Sequence, residues 1–169
     1  MVRFLAFIGF LGIVIAVVAA VYFFGGFYSV AASAEEPDII KSMLVQVRQA
    51  SIARHAKGLS EPPASDEAVR AGARAFSTRG CENCHGAPGV DWGKWSEGMR
   101  PDPPDLKEVA QERTRSELFW VVKNGINMTG MPSFGATGAS DDEIWTIAAF
   151  VKRFPTVSPA DYKAWTATP

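Results

Sequence analysis

The sequence predicts an all-α protein in which an N-terminal transmembrane helix precedes one compact helical domain. Residues 4–28 carry no charge, three later segments have helix start and stop signals, and no alternating apolar and polar run indicates a strand. The 169 residues suit one domain with additions, and the net charge of −1 lacks the basic excess that nucleic-acid binding requires. We divide the chain into an anchor (1–34), a basic juxtamembrane arm with a Pro-rich hinge (35–64), the domain (65–155) and a C-terminal tail (156–169).

The apolar segment is long enough to cross a bilayer. As a helix rising about 1.5 Å per residue, residues 4–28 span roughly 38 Å, against a hydrocarbon core of about 30 Å. Ala32-Ser33-Ala34 resembles the cleavage site of a signal peptide, but the apolar core of such peptides runs only about 7–15 residues. We therefore expect an uncleaved anchor in the lipid bilayer.

The charges flanking the anchor predict its orientation. Arg3 precedes the apolar segment, whereas Glu35, Glu36 and Asp38 follow it. The positive-inside rule then places the N-terminus in the cytoplasm and the domain outside. In a bacterium this means a single-pass protein of the inner membrane with a periplasmic domain.

The arm combines apolar periodicity with positive charge. Ile39, Met43 and Val47 lie four residues apart, which places them on one face of a helix. Two interpretations remain open: the arm lies on anionic lipid or a membrane partner, or it is a spacer that covers part of the domain. Residues 58–64 are rich in helix breakers and predict a hinge. The basic residues and the histidine of the arm are Lys41, Arg48, Arg54, His55 and Lys57.

Three helices of the domain are predicted from their ends. The first begins near Ser65, with acidic residues in its first turn. The second begins with a capping box at Thr114 and stops at Gly125. The third begins with a second capping box at Ser140 and runs to about Phe154, before a proline.

Between the first helix and the long loops lies the motif Cys81-Glu82-Asn83-Cys84-His85. A C-x-x-C-H motif supplies two thiols for thioether bonds to haem and a histidine for one axial position of the iron. Two alternatives are less favoured. A thioredoxin-like redox pair needs a βαβ unit, which the sequence does not predict. A zinc site needs four ligands, which would use every Cys and His of the chain, including His55. Loops 86–113 and 126–139 are unusually long unless a group fills the domain centre. We therefore expect one haem c, bound covalently through two thioethers.

The chain after residue 64 resembles a monohaem class I cytochrome c, and is similar to the cytochrome c domains associated with haem–copper oxidases. The resemblance implies an all-α class I cytochrome c fold around one covalent haem, in residues 65–155. It also implies that the first and last helices cross where Gly72 meets Phe150, with Phe76 alongside. The residues that carry the resemblance are the C-x-x-C-H motif, Gly72 and Phe76, residues 144–151, and residues 124–135.

The sixth ligand of the iron is assigned from the same resemblance. Met131, which precedes Pro132, matches the family's ligand position, so that His85 and Met131 are the predicted metal ligands. A thioether opposite histidine raises the reduction potential. The alternative sixth ligands are Met128, Met99 and His55. Because methionine more often fills a core than binds a metal, we expect Met128 and Met99 to be core residues.

A ligating histidine usually donates its other N–H to an acceptor. The family uses a proline carbonyl, and Pro104-Asp105-Leu106 matches that pattern, with Pro103 as the alternative acceptor. Asp105 departs from the asparagine that is common in relatives. Three tryptophans either pack in the domain or contact the haem propionates, and three cations either remain solvated or neutralise those propionates. They are Trp92, Trp95, Trp120, Lys94, Arg100 and Lys123.

A haem with both axial positions filled transfers single electrons, so we expect an electron carrier rather than an enzyme, with no small-molecule substrate. The expected donor is a cytochrome bc complex or a quinol-linked dehydrogenase, and the expected acceptor is a terminal haem–copper oxidase. The alternative is a fixed haem subunit of a larger respiratory complex, with Tyr162 and Trp165 of the tail packing on a neighbour. A peroxidase or a haem sensor is less favoured, because residues 125–135 contain no acid–base side chain and no signalling domain accompanies the motif.

Overall fold

The computed structural model describes residues 1–167, and within that range it contains helices, turns and one isolated bridge between Ala87 and Val90, but no strand. The predicted all-α class is therefore confirmed. The helices are α1 (Val2–Phe24), α2 (Asp38–Ala56), α3 (Asp66–Thr78), α4 (Glu82–His85), α5 (Leu106–Glu112), α6 (Arg115–Asn124), α7 (Asp141–Arg153) and α8 (Pro159–Thr166), with 3₁₀ turns at Lys94–Gly98 and Phe154–Thr156.

The chain forms two compact units, of which the first is Met1–Glu36. Its helix α1 has a mean hydropathy of 2.9 over its most apolar window and no buried residue. By length and composition this helix suits a single-pass membrane anchor. Near its C-terminal end the rings of Tyr22 and Tyr28 pack against Phe23, at centroid distances of 5.3 and 5.4 Å.

The second unit begins at Pro37, and its centre is the crossing of α3 and α7. Gly72 of α3 lies at the crossing: a Cβ there would be 1.9 Å from the Thr146 carbonyl oxygen and 2.9 Å from the Phe150 Cβ. The rings of Phe76 and Phe150 lie 5.3 Å apart. The predicted contact of Gly72 with Phe150, beside Phe76, is therefore confirmed.

The N-terminal signals of α6 and α7 have different outcomes. At α6, Thr114 and Glu117 form the predicted reciprocal capping box. At α7, Ser140 Oγ accepts from the Glu143 N–H at 3.2 Å, but the Glu143 carboxylate binds Arg79 instead of returning to the cap. The predicted second capping box is thus wrong in its second half, because a guanidinium 64 positions away takes the carboxylate.

The bidentate pair of Arg79 and Glu143 has distances of 2.8 and 2.7 Å and joins the end of α3 to the first turn of α7. Hydrogen bonding to Arg79 lowers the pKa of Glu143. A lowered carboxyl pKa stabilises the fold above the unfolded pKa of about 4.3, and this contribution disappears as the pH falls through the folded pKa.

We therefore expect Glu143→Gln to cost less than about 1 kcal/mol of unfolding free energy at pH 7, because both side chains are partly exposed. The difference from the native protein should vanish in acid, below the folded pKa of Glu143. Urea unfolding at pH 7 and at a pH below the folded pKa of Glu143 measures this difference, with Asp142→Asn as the matched control. An equal cost at both pH values would show that the charge of Glu143 is irrelevant.

The arm and its expected hinge are attached to the domain. Ile52 and Ala56 of α2 are buried, and α2 packs against α6. In the segment predicted as a hinge, Glu61 accepts from the Ser116 N–H at 3.0 Å and from the Ser116 hydroxyl at 2.6 Å. The hydrogen bond from the Ser116 hydroxyl is the largest cause of the lowered pKa of Glu61. Residues 58–64 are therefore fixed to the start of α6 rather than free.

One segment expected to be a loop and the C-terminal tail both contain helices. The loop 86–113 includes α5, with Leu106 and Ala110 buried. The tail 156–169 includes α8, and its last two residues lie outside the described range. Tyr162 of α8 is only 3% exposed, and its ring stacks on Phe150 of the same chain at 5.7 Å. The expectation that Tyr162 packs on a neighbouring protein is therefore wrong.

Candidate functional site

The C-x-x-C-H motif follows α3 and forms the single turn of α4. The His85 N–H donates to the Cys81 carbonyl at 3.0 Å. Cys81 and Cys84 are free, half-buried thiols. Burial raises the pKa of Cys81 to about 12, so this thiol is protonated at neutral pH. Catalytic redox cysteines have the opposite shift, which argues against the thioredoxin-like alternative.

His85 is held through one ring nitrogen. Its Nδ1 lies 3.1 Å from the carbonyl oxygen of Pro104. Desolvation lowers the pKa of His85, although the bond to Pro104 acts in the opposite direction. A neutral imidazole that donates from Nδ1 leaves the Nε2 lone pair for a metal. Residues 1–167 contain no group of three His, Cys, Asp or Glu side chains that would hold a metal alone, which disfavours zinc.

The loop that carries Met131 is closed by its own hydrogen bonds. The Ile126 N–H donates to the Met131 carbonyl at 3.1 Å, and the Thr129 hydroxyl donates to the Ile126 carbonyl at 2.8 Å. The Met131 N–H donates to the same hydroxyl at 3.1 Å. At Gly125, where φ is +69°, a Cβ would lie 2.8 Å from the Met131 carbonyl oxygen. The backbone around Met131 is thus tightly fixed, and its half-buried side chain packs against the core.

The alternative ligands lie in different settings. Met128 is 90% exposed and has a positive φ of 58°. The thioether of Met99 lies against the same loop, since a Cβ on Gly130 would be 2.8 Å from Met99 Sδ. His55 is on α2, where its Nδ1 lies 2.8 Å from the Ser51 carbonyl and its ring stacks on Trp120 at 5.4 Å. Met99 therefore contacts the loop that carries Met131. Met128 faces solvent, so the expectation that it is a core residue is wrong.

Tryptophan side chains beside the motif are unusually uncovered. Trp92 and Trp95 are 50% and 60% exposed. A cavity of about 160 Å³ opens next to Cys84 and is lined by Trp92 and Pro104, among others. Exposed aromatic surface next to two free thiols and a neutral imidazole fits a large apolar prosthetic group with a metal centre. The donor set and its surroundings therefore fit haem.

Several expected propionate partners already have other partners. The Trp92 indole N–H donates to Glu97 at 3.3 Å, and Trp120 stacks on His55. Arg100 pairs with Asp102 at 2.5 Å, and Lys123 pairs with Asp141 at 2.6 Å. These contacts favour the packing or structural interpretation of the four residues over a propionate contact.

One contact at the motif had no signal in the sequence. The hydroxyl of Tyr162 donates to Glu82 Oε2 at 2.6 Å, and the Ser77 hydroxyl donates to Glu82 Oε1 at 3.2 Å. Both carboxylate oxygens of the residue after Cys81 are therefore held. Burial raises the pKa of Tyr162, as does its bond to Glu82, so the phenol stays protonated. Helix α8 further contacts the segment after the motif, because Pro159 packs against Gly89.

We expect Tyr162→Phe to cost about 1.5–3 kcal/mol of unfolding free energy, the usual value of a hydrogen bond to a charged group. The ring still fills its place on Phe150, so the loss reports the hydroxyl alone. Denaturant unfolding of Tyr162→Phe in the native and the Glu82→Ala backgrounds measures the coupling. An undiminished cost in the Glu82→Ala background would contradict the assigned bond.

Comparison with known proteins gave one family. The family described as cytochrome c oxidase, cbb3-type, subunit III matches residues 67–151, which is half of the chain. The match contains the C-x-x-C-H motif, the crossing of α3 and α7, and the Met131 loop. The comparisons with curated proteins and with solved structures gave no significant match.

Proposed function

The chain belongs to the family of cytochrome c oxidase, cbb3-type, subunit III, whose members are haem c proteins of respiratory electron transport. We propose that it transfers single electrons on the periplasmic face of a bacterial inner membrane. The donor is a cytochrome bc complex or a quinol-linked dehydrogenase, and the acceptor is a terminal haem–copper oxidase. Residues 1–34 anchor the protein with its N-terminus in the cytoplasm, and residues 65–155 hold the haem.

The residues of the site have separate roles in this proposal. Cys81 and Cys84 would attach one haem c through two thioethers, and His85 and Met131 would be the ligands of its iron. Pro104 accepts the Nδ1–H of His85, which fixes the ring orientation and leaves Nε2 basic. The observation that carries the proposal is this neutral imidazole, oriented by Pro104 and placed within one helical turn of both thiols.

The group supplies a one-electron ferric–ferrous couple when bound. The protein's own residues limit the chemistry to that couple. The thioether of Met131, as a ligand of the iron, would leave no position for water or peroxide, and residues 125–135 offer no side chain that holds or moves a proton. Trp92 and Trp95 offer exposed aromatic surface that the bound group would cover. Electron transfer without a bound substrate is therefore the expected activity.

A fixed haem subunit is the second candidate, and the subunit description of the matched family favours it. Both candidates use the same site and differ in whether the protein leaves its partners. Tethering in the membrane raises the effective concentration of a mobile carrier near its partners, whereas a subunit has a permanent interface.

Gentle detergent extraction of native membranes, followed by size separation and detection of the reduced haem c absorption, tests the proposal. Migration near the mass of the chain supports the tethered carrier, and migration with an oxidase or bc complex supports the fixed subunit. Denaturing electrophoresis of the same fractions tests covalent attachment, with the double variant Cys81→Ala, Cys84→Ala as the control that lacks both thiols. A chain that carries no haem c in either fraction would overturn both candidates.

A further inference from the structure

Helix α2 has two apolar faces, and only one of them is covered. Ile52 and Ala56 are buried against α6, at 3% and 4% exposure. In the first half of the helix, by contrast, Ile39, Met43 and Val47 are 79%, 58% and 61% exposed. A neighbouring leucine, Leu44, is half exposed. We call these four exposed residues the outer face of α2.

The outer face points away from the domain. At about 100° per residue, Ile39, Met43 and Val47 fall within an arc of roughly 80°, and Leu44 extends the arc to about 140°. Ile52 and Ala56 lie about 220° and 260° from Ile39 on the same projection, close to the opposite side. While Ile52 and Ala56 remain packed on α6, α6 therefore cannot cover the outer face.

After its first residue, Asp38, every charged side chain of α2 is basic. No acidic residue occurs between Asp38 and Glu61. Within the described part of the chain, none of the four cations of the arm forms an ion pair, whereas Arg79, Arg113 and Lys123 of the domain do. On the helical projection, two of the arm cations border the apolar arc. The four cations are Lys41, Arg48, Arg54 and Lys57, and Lys41 and Arg48 are the bordering pair.

The chain keeps the outer face close to a bilayer. Thirteen residues separate the end of α1 at Phe24 from the start of α2 at Asp38. Even when fully extended they reach no more than about 45 Å. A helix with an exposed apolar arc, a basic border and a short connection to a membrane anchor matches a helix that lies in the headgroup region of a membrane.

We propose that the outer face of α2 binds the surface of an anionic bilayer, with Lys41 and Arg48 among the lipid headgroups. The opposite face of α2 remains on α6, so α2 connects the domain rigidly to the membrane surface. The domain then has one preferred side toward the lipid instead of rotating freely on its tether. This inference rests on the membrane anchor of the proposed function and not on the haem chemistry, so its test is independent of electron transfer.

Site-specific photo-crosslinking in vesicles tests this proposal. The full-length protein carries a diazirine amino acid at position 43 or 47, with position 112 on α5 as the control because Glu112 is exposed and lies outside the outer face. The vesicles contain phosphatidylcholine alone or with phosphatidylglycerol, and mass spectrometry identifies the adducts. The readout requires neither haem nor free cysteine.

We expect lipid adducts at positions 43 and 47 but not at 112, with a higher yield in phosphatidylglycerol vesicles. The Lys41→Gln and Arg48→Gln variants should each lower that yield roughly fivefold, the effect of removing one basic residue near an anionic surface. Adducts with a second copy of the chain, or no adducts at positions 43 and 47, would overturn the proposal. Yields that are the same in both vesicle types and in both glutamine variants would overturn the assignment to anionic lipid.

Discussion

Replacing Met131 with alanine is expected to open one axial position in the haem-loaded protein. The reduced variant should then bind carbon monoxide, which the native protein should not, and the ferric absorption band of thioether ligation should disappear. The reduction potential should also fall, by a substantial part of the roughly 0.8 V range over which axial ligands set haem potentials. Absorption spectra with and without carbon monoxide, and a redox titration, measure these changes.

Met128→Ala is the matched control for this experiment. Met128 belongs to the same loop, but its side chain is 90% exposed, so its removal should leave the spectrum and the potential unchanged. Met99 lies against Gly130 of this loop and is the second alternative ligand. If Met131→Ala remained closed to carbon monoxide while Met99→Ala opened the site, the ligand assignment would pass to Met99.

Gly72→Ala is expected to cause the largest loss of stability. The added Cβ would lie 1.9 Å from the Thr146 carbonyl oxygen, and that oxygen belongs to helix backbone that cannot rotate away. Helices α3 and α7 must therefore separate at the centre of the core. We expect a loss of about 3 kcal/mol or more, the upper part of the range for overpacked cores. For a chain of this size this corresponds to roughly 10 °C in the unfolding temperature.

Gly98→Ala provides the control, because a Cβ at that position meets no atom within 4 Å. Its unfolding free energy should stay within about 0.5 kcal/mol of the native value. Thermal or denaturant unfolding of both variants measures the difference. A Gly72→Ala protein as stable as Gly98→Ala would mean that the two helices do not approach this closely.

Local signals explain the parts of the fold that the sequence predicted well. Thr114 and Glu117 are three residues apart, so their capping box depends on nothing outside the helix end. The spacing of Cys81, Cys84 and His85 is equally local, and the same holds for the start of α3 at Ser65. The approach of α3 to α7 is a long-range feature, and it was predictable because the resemblance to class I cytochromes c implied it.

The features that the sequence missed depend on partners far along the chain. Ser140 and Glu143 have the spacing of a capping box, but the spacing does not reveal that Arg79 competes for the carboxylate. Similarly, Glu61 lies in a segment of helix breakers, and no pattern there indicates its bonds to Ser116. Composition shows where a segment lacks helix propensity, but it does not show which tertiary contacts fix that segment.

The bond between Tyr162 and Glu82 joins residues 80 positions apart, and it therefore sets an order of events during folding. Contacts of such large sequence separation form late, since a long loop must close first. The support of Glu82 by α8 is absent until almost the whole chain has been synthesised. Cys81 and Cys84 consequently belong to a less constrained segment while the chain is incomplete.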